Sequence, residues 1–128
     1  MKPTYTPEKI DEFVASAKKD VEAAKSLFTL AYEKIIDINI GDAVNSPESI
    51  KALADKVKQI KSSIKKKTDT YYDAINMYET GEYPDNVSEL DRVNDTLDGL
   101  EDDMSKLYYA LEEILMAVSE LTGQFYNK

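Results

Sequence analysis

Three stretches of the chain carry apolar residues at alternating intervals of three and four. In the first, Ile10, Val14, Ala17, Val21, Ala24, Phe28, Ala31, Ile35 and Ile38 follow one another without a break. The second runs through Ile50, Leu53, Val57, Ile60, Ile64, Lys67, Tyr71, Ala74 and Tyr78, with Lys67 its only charged member. The third is the longest: Leu90, Val93, Leu97, Leu100, Met104, Leu107, Leu111, Ile114, Val118, Leu121 and Phe125. Such a repeat, the pattern of a coiled coil, gives each helix one apolar seam that faces a partner helix. Three heptads in a row rarely arise by accident.

Punctuation agrees with the periodicity. Thr6 followed by Pro7 reads as an N-cap and first helical residue, with Glu8 in the first turn. Asn39 to Ser46, with Gly41 inside, reads as a loop, and Ser46-Pro47-Glu48 repeats the start signal. Thr80 to Asp85 supplies a second loop, after which Asn86 and Glu89 have the spacing of a capping box. The spacing therefore predicts helices over about 7–38, 47–79 and 87–126, each roughly 48–60 Å long. Short loops favour antiparallel neighbours. The expected fold is all-α: an elongated, antiparallel three-helix bundle, up-down-up, forming a single domain over residues 1–128. Gly99 lies inside the third helix and weakens it by about 1 kcal/mol relative to Ala. A break there would give four helices, but Leu97, Leu100 and Met104 carry the seam through it in phase, which favours a continuous helix with room to bend at Gly99. End-to-end alignment sets Lys67 level with Ala17 and Leu97, where Asp20 or Asp98 can receive its ammonium as it snorkels out of the seam.

Composition narrows the function classes. Only 4 Gly and 4 Pro are present, too few for a chain of many short strands and turns. Without Cys there is no disulfide or thiolate chemistry, and without His the commonest general base and metal ligand is missing. Ser62 and Ser63 sit among lysines without the base and orienting group that a nucleophilic serine needs. No Gly-rich phosphate loop occurs. The start of the chain lacks an apolar leader, and no run approaches the ~18 apolar residues that span a bilayer. The expected location is the cytoplasm or a particle assembled there. A net charge of −9 repels nucleic acid and anionic lipid, so neither direct nucleic-acid binding nor a membrane partner is expected.

That charge is unevenly spread. Residues 51–67 hold seven lysines against one aspartate, a balance of +6, with Lys51, Lys58 and Lys65 at heptad spacing and Lys61 beside them. Residues 79–103 hold ten acidic residues and one Arg, a balance of −9. The helix directions suggest that these blocks fall toward opposite ends of the rod. The lysine stripe can meet an acidic protein patch, or stand as a solvated face partly neutralised by Glu33, Asp37, Glu112, Glu113 and Glu120. Asp91, Asp95, Asp98 and Asp102 share one face of the third helix. Such a face could bind Mg²⁺ in an all-helical nucleotide hydrolase, yet it lies outside the seam and no E-E-x-x-E pattern accompanies it. It could also imitate DNA phosphates and inhibit a DNA-binding protein. Nine tyrosines stand beside 3 Phe and no Trp. Tyr5, Tyr71, Tyr72, Tyr78 and Tyr83 all map to one end. Tyr71 and Tyr78 belong to the seam, leaving Tyr5, Tyr72 and Tyr83 for contact with a partner.

The reading that fits best is a non-catalytic protein–protein interaction module without cofactor. It would serve as an adaptor, scaffold or accessory subunit of a larger assembly, with self-association among its options. A phage or mobile-element structural component is one home that such a motif-free bundle suits. An acidic inhibitor or DNA mimic ranks second and an Mg²⁺-dependent hydrolase third.

Overall fold

A computed structural model describes residues 6–76 and 85–122. Its elements are α1 (Pro7–Ile36), α2 (Ile40–Asn45), α3 (Pro47–Asn76) and α4 (Asp85–Thr122). Among the described residues there is no strand. The three long helices pack as the heptads require. Lys61 meets Glu101 and Thr68 meets Asn94, so α3 and α4 run antiparallel. Asp20 meets Lys67, whereas Asp11 meets Asn86 and Lys18 meets Glu89, so α1 is antiparallel to α3 and parallel to α4. α4 lies along both of the others, while α1 and α3 touch each other far less. The expected ends at 79 and 126, and the seam positions Tyr78 and Phe125, lie outside the described residues.

Local chemistry fixes the helix starts. Thr6 Oγ1 accepts the Lys9 backbone N–H at 3.1 Å, and Pro7 opens α1 without wasting a donor. The helix stops at Ile36 rather than 38, closed by the Asp37 N–H donating to the Glu33 carbonyl. The segment expected as a loop contains α2. Asn39 caps it by accepting the Asp42 N–H at 2.8 Å, Gly41 is helical, and Ala43 is buried as the short helix packs on α3 and α4. A strong cap and two adjacent apolar residues outweighed the glycine. The capping box expected of Asn86 and Glu89 does not form, because α4 already begins at Asp85. Both side chains cross to α1 instead. Asn86 Nδ2 donates to the Pro7 carbonyl and to Asp11 Oδ1, and Glu89 pairs with Lys18 at 2.6 Å. The Lys18 ammonium holds the Glu89 carboxyl below the usual carboxylate range.

The buried residues form one continuous cluster. Ile10, Val14, Ala17, Val21, Ala24 and Ala31 come from α1; Val87, Leu90, Leu97, Leu100, Met104, Leu107, Leu111 and Val118 come from α4. The α3 seam drifts. Ile50, Val57, Ile64 and Tyr71 are buried as expected, but Thr68 and Ile75 turn inward, while Lys67 stands half-exposed. A straight α-helix has 3.6 residues per turn, so its inner face slides about 20° per heptad away from a strict seven-residue repeat. Leu121 is likewise exposed rather than in the seam. α4 passes through Gly99 without a break.

Candidate functional site

Lys51 and Lys58 stand exposed on α3. Lys65 pairs with Asp69 one turn on, at 3.2 Å, and Lys61 reaches Glu101 of α4 at 3.7 Å. The Asp69 bond, helped by the charges of Glu101 and Asp98, raises the Lys65 ammonium above its usual value. Among the described residues, the carboxylates in direct contact with these lysines are Asp69 and Glu101; Glu33, Asp37, Glu112, Glu113 and Glu120 form no ion pair with them within 4 Å. These pairs also correct the charge layout. In antiparallel packing the distal part of the lysine block lies level with the distal part of the acidic block, so the two overlap in mid-rod, while Lys51 and Lys58 lie toward one end and Asp85 and Asp91 toward the other.

Four of the expected site residues come together. Lys65, Tyr72, Asp95 and Asp98 line one shallow cleft between α3 and α4, with Thr68, Asp69 and Asn94. Tyr72 is 58 % exposed there. Asp91 and Asp102 are exposed on α4 outside this cleft. Among the described residues no group of three Asp or Glu side chains is placed to hold a metal ion. Tyr5 and Tyr83 lie outside the described residues. Tyr71, by contrast, is built into the fold. Its ring meets Phe13 edge-on at 5.8 Å, and its hydroxyl donates to Asp20 Oδ2 at 2.5 Å and shares a 3.1 Å hydrogen bond with Ser16. Burial, with the Asp20 bond second, pushes its phenol up to about 12. The other oxygen of Asp20 receives Lys67 at 3.4 Å, one of the two partners expected for it.

An open apolar surface lies where α1 and α3 part. A cavity of about 270 Å³ is walled by Ala23, Ala24 and Leu27 on one side and by Ile60 and Ile64 on the other, with Leu97 of α4 as its floor. A second, of about 130 Å³, continues from Leu27 and Ile60 to Leu30, Ala31, Leu53 and Val57. The two share Leu27 and Ile60, so they make one groove. Leu27 is 37 % exposed and Leu30 56 %. The physical cause is visible in α3, which interleaves Lys56, Gln59, Ser63 and Lys67 with the apolar Leu53, Val57, Ile60 and Ile64 on this side. Polar side chains at these positions cannot zip onto the leucines of α1.

No family model, no characterised protein and no solved structure matches the chain.

On the α1 side the groove is opened by Ala23, Leu27 and Leu30, which the heptad reading passed over, while Ile60, Ile64 and Leu97 are seam positions. Its signal in the sequence is a second apolar stripe on α1: Ala23, Leu27 and Leu30 lie four and three residues apart, beside the Ala24–Ala31 seam. A helix with two adjoining apolar stripes can serve two neighbours. Among the described residues, no helix is long and apolar enough to cross a membrane.

Proposed function

We propose that this chain is a non-catalytic protein–protein interaction module, a helical rod acting as an adaptor, scaffold or accessory subunit. The carrying observation is the groove between α1 and α3, where Leu27 and Leu30 stand open to solvent above a floor made by Leu97. Complete burial of a leucine side chain is worth about 1.5–3 kcal/mol, so covering two part-exposed ones supplies roughly 1–3 kcal/mol. That suffices for the anchors of an interface whose rim adds specificity. The remaining faces carry most of the charge together with scattered exposed apolar side chains such as Ile36, Tyr109 and Met116. An acidic DNA mimic would use the exposed face of Asp91, Asp95, Asp98 and Asp102, but Lys65 beside Asp98 interrupts that run of negative charge.

The test is affinity capture from cells that naturally make the chain. It compares the wild type with Leu27→Asp/Leu30→Asp and with Lys51→Glu/Lys58→Glu/Lys65→Glu. A defined protein should co-purify in fixed ratio with the wild type and the lysine variant, and be lost from the leucine variant at unchanged helicity. Magnesium-dependent turnover of nucleotides by the purified chain, with no co-purifying protein, would overturn the reading.

A further inference from the structure

We propose that the α1–α3 groove seats an acidic amphipathic helix of a partner protein, whose apolar side chains enter between Leu27, Leu30, Leu53 and Ile60 while its carboxylates meet Lys34 and Lys56. This rests on the interaction-module reading and adds the chemistry of the partner. The first support is shape. The groove follows α1 from Asp20 to Lys34, about 21 Å of helix length at 1.5 Å per residue. It is a trough between two antiparallel helices, open on the side away from α4, and a further helix laid there completes a four-helix arrangement. Its interior is lined mainly by apolar side chains, among them Ala24, Leu27, Ile60, Ile64 and Leu97, which selects apolar anchors at i, i+3 or i+4 and i+7 and suits an amphipathic helix better than a nucleic-acid backbone.

The second support is charge. Lys34 from α1 and Lys56 from α3 line the groove, and among the described residues neither has a carboxylate within 4 Å. At the far end Lys67 is matched by Asp20, whose second oxygen is taken by Tyr71. Gln59 and Ser63 of the groove wall also border a shallow depression holding Lys58 and Lys66. The rim is thus basic on a chain of net charge −9, so the surplus is local to this side. A second copy seated groove to groove offers Lys34 and Lys56 no free carboxylate, because among the described residues the one acid lining the groove, Asp20, is already held by Lys67 and Tyr71. A carboxylate-bearing helix supplies what such a copy lacks.

The test presents the full chain to a displayed library of helical peptides about 16 residues long, enough to span ~24 Å. Enriched peptides should combine apolar residues at helical spacing with Asp or Glu on their flanks. Leu30→Asp should weaken the best of them roughly tenfold or more. Lys34→Glu with Lys56→Glu should turn the preference toward lysine-bearing peptides, with circular dichroism unchanged in both variants. Enrichment of neutral or basic peptides, or binding indifferent to Leu30→Asp, would overturn the proposal. So would a wild-type dimer in sedimentation equilibrium that Leu30→Asp dissociates. None of these outcomes touches the broader reading, which the capture from native cells decides separately.

Discussion

Asn94 of α4 reaches across the core to Thr68 of α3, its Nδ2 donating to the Thr68 backbone carbonyl at 3.3 Å, and both residues are buried. The bond is made at one level of the rod only, so it fixes how α3 and α4 slide past each other, as a single polar residue does in a coiled-coil seam. It carries a cost, because Asn94 Oδ1 is buried without a hydrogen-bond partner.

Asn94→Leu should therefore stabilise the fold by about 1–2 kcal/mol, since the desolvated oxygen is removed and apolar contact is gained. Urea unfolding checks this through a higher midpoint at unchanged slope. A lower midpoint would show that the cross-helix bond outweighs the orphaned oxygen.

The same pair marks where the heptads stop being informative. Seam residues of α1 and α4 were legible because apolar residues at every third or fourth place leave one face to bury. Thr68 and Asn94 are polar, so no hydrophobic count finds them. The strict repeat put Lys67 in the seam, where helix drift puts Thr68. The short helix α2 was hidden by Gly41, although Asn39 is a good cap. Of the candidate interaction residues, end-to-end alignment brought Asp98 to the level of Lys67, whereas in the packed helices it shares a cleft with Lys65 and Lys67 turns to Asp20 instead. The groove was least legible. Its stripe of Ala23, Leu27 and Leu30 is visible in the sequence, but its openness follows from the polar α3 side chains it faces.

Tyr71→Phe should remove an alkaline transition. Its phenol titrates near 10 in an unfolded chain and is pushed up to about 12 in the fold, so folding favours the neutral form. That stability is fully present below about pH 10 and is lost as pH rises toward 12. The wild type should lose stability across that window more steeply than Tyr71→Phe in denaturant titrations at fixed pH steps. Equal slopes would mean that the phenol is neither buried nor held in the Asp20 bond as described.

Gly99→Ala should stabilise by about 1 kcal/mol, the difference in helix propensity. Nothing lies within 4 Å of the position where the added Cβ would sit, so the gain is not offset by a clash. A rise in melting temperature checks it. A fall would imply a bend at Gly99 that alanine resists.

Leu111→Asp should unfold the protein, because Leu111 is 0 % exposed and an unpaired carboxylate there has no partner. Asp102→Asn, on the exposed side of the same helix, should change stability by no more than about 0.5 kcal/mol. Far-ultraviolet circular dichroism and thermal melts of the two variants check both. Comparable losses would place the wrong face of α4 in the core.

The central claim is that the chain meets its partner through the open side between α1 and α3. A photoreactive residue placed at Leu30, and in a parallel strain at Asp102, tests it inside cells that make the protein. Leu30 is 56 % exposed at the groove and Asp102 is exposed on α4, outside the groove lining, so each position tolerates replacement. Irradiation should give one discrete protein adduct from position 30, identifiable by mass spectrometry, and none from position 102. Adducts from position 102 alone, or none from either, would contradict the account.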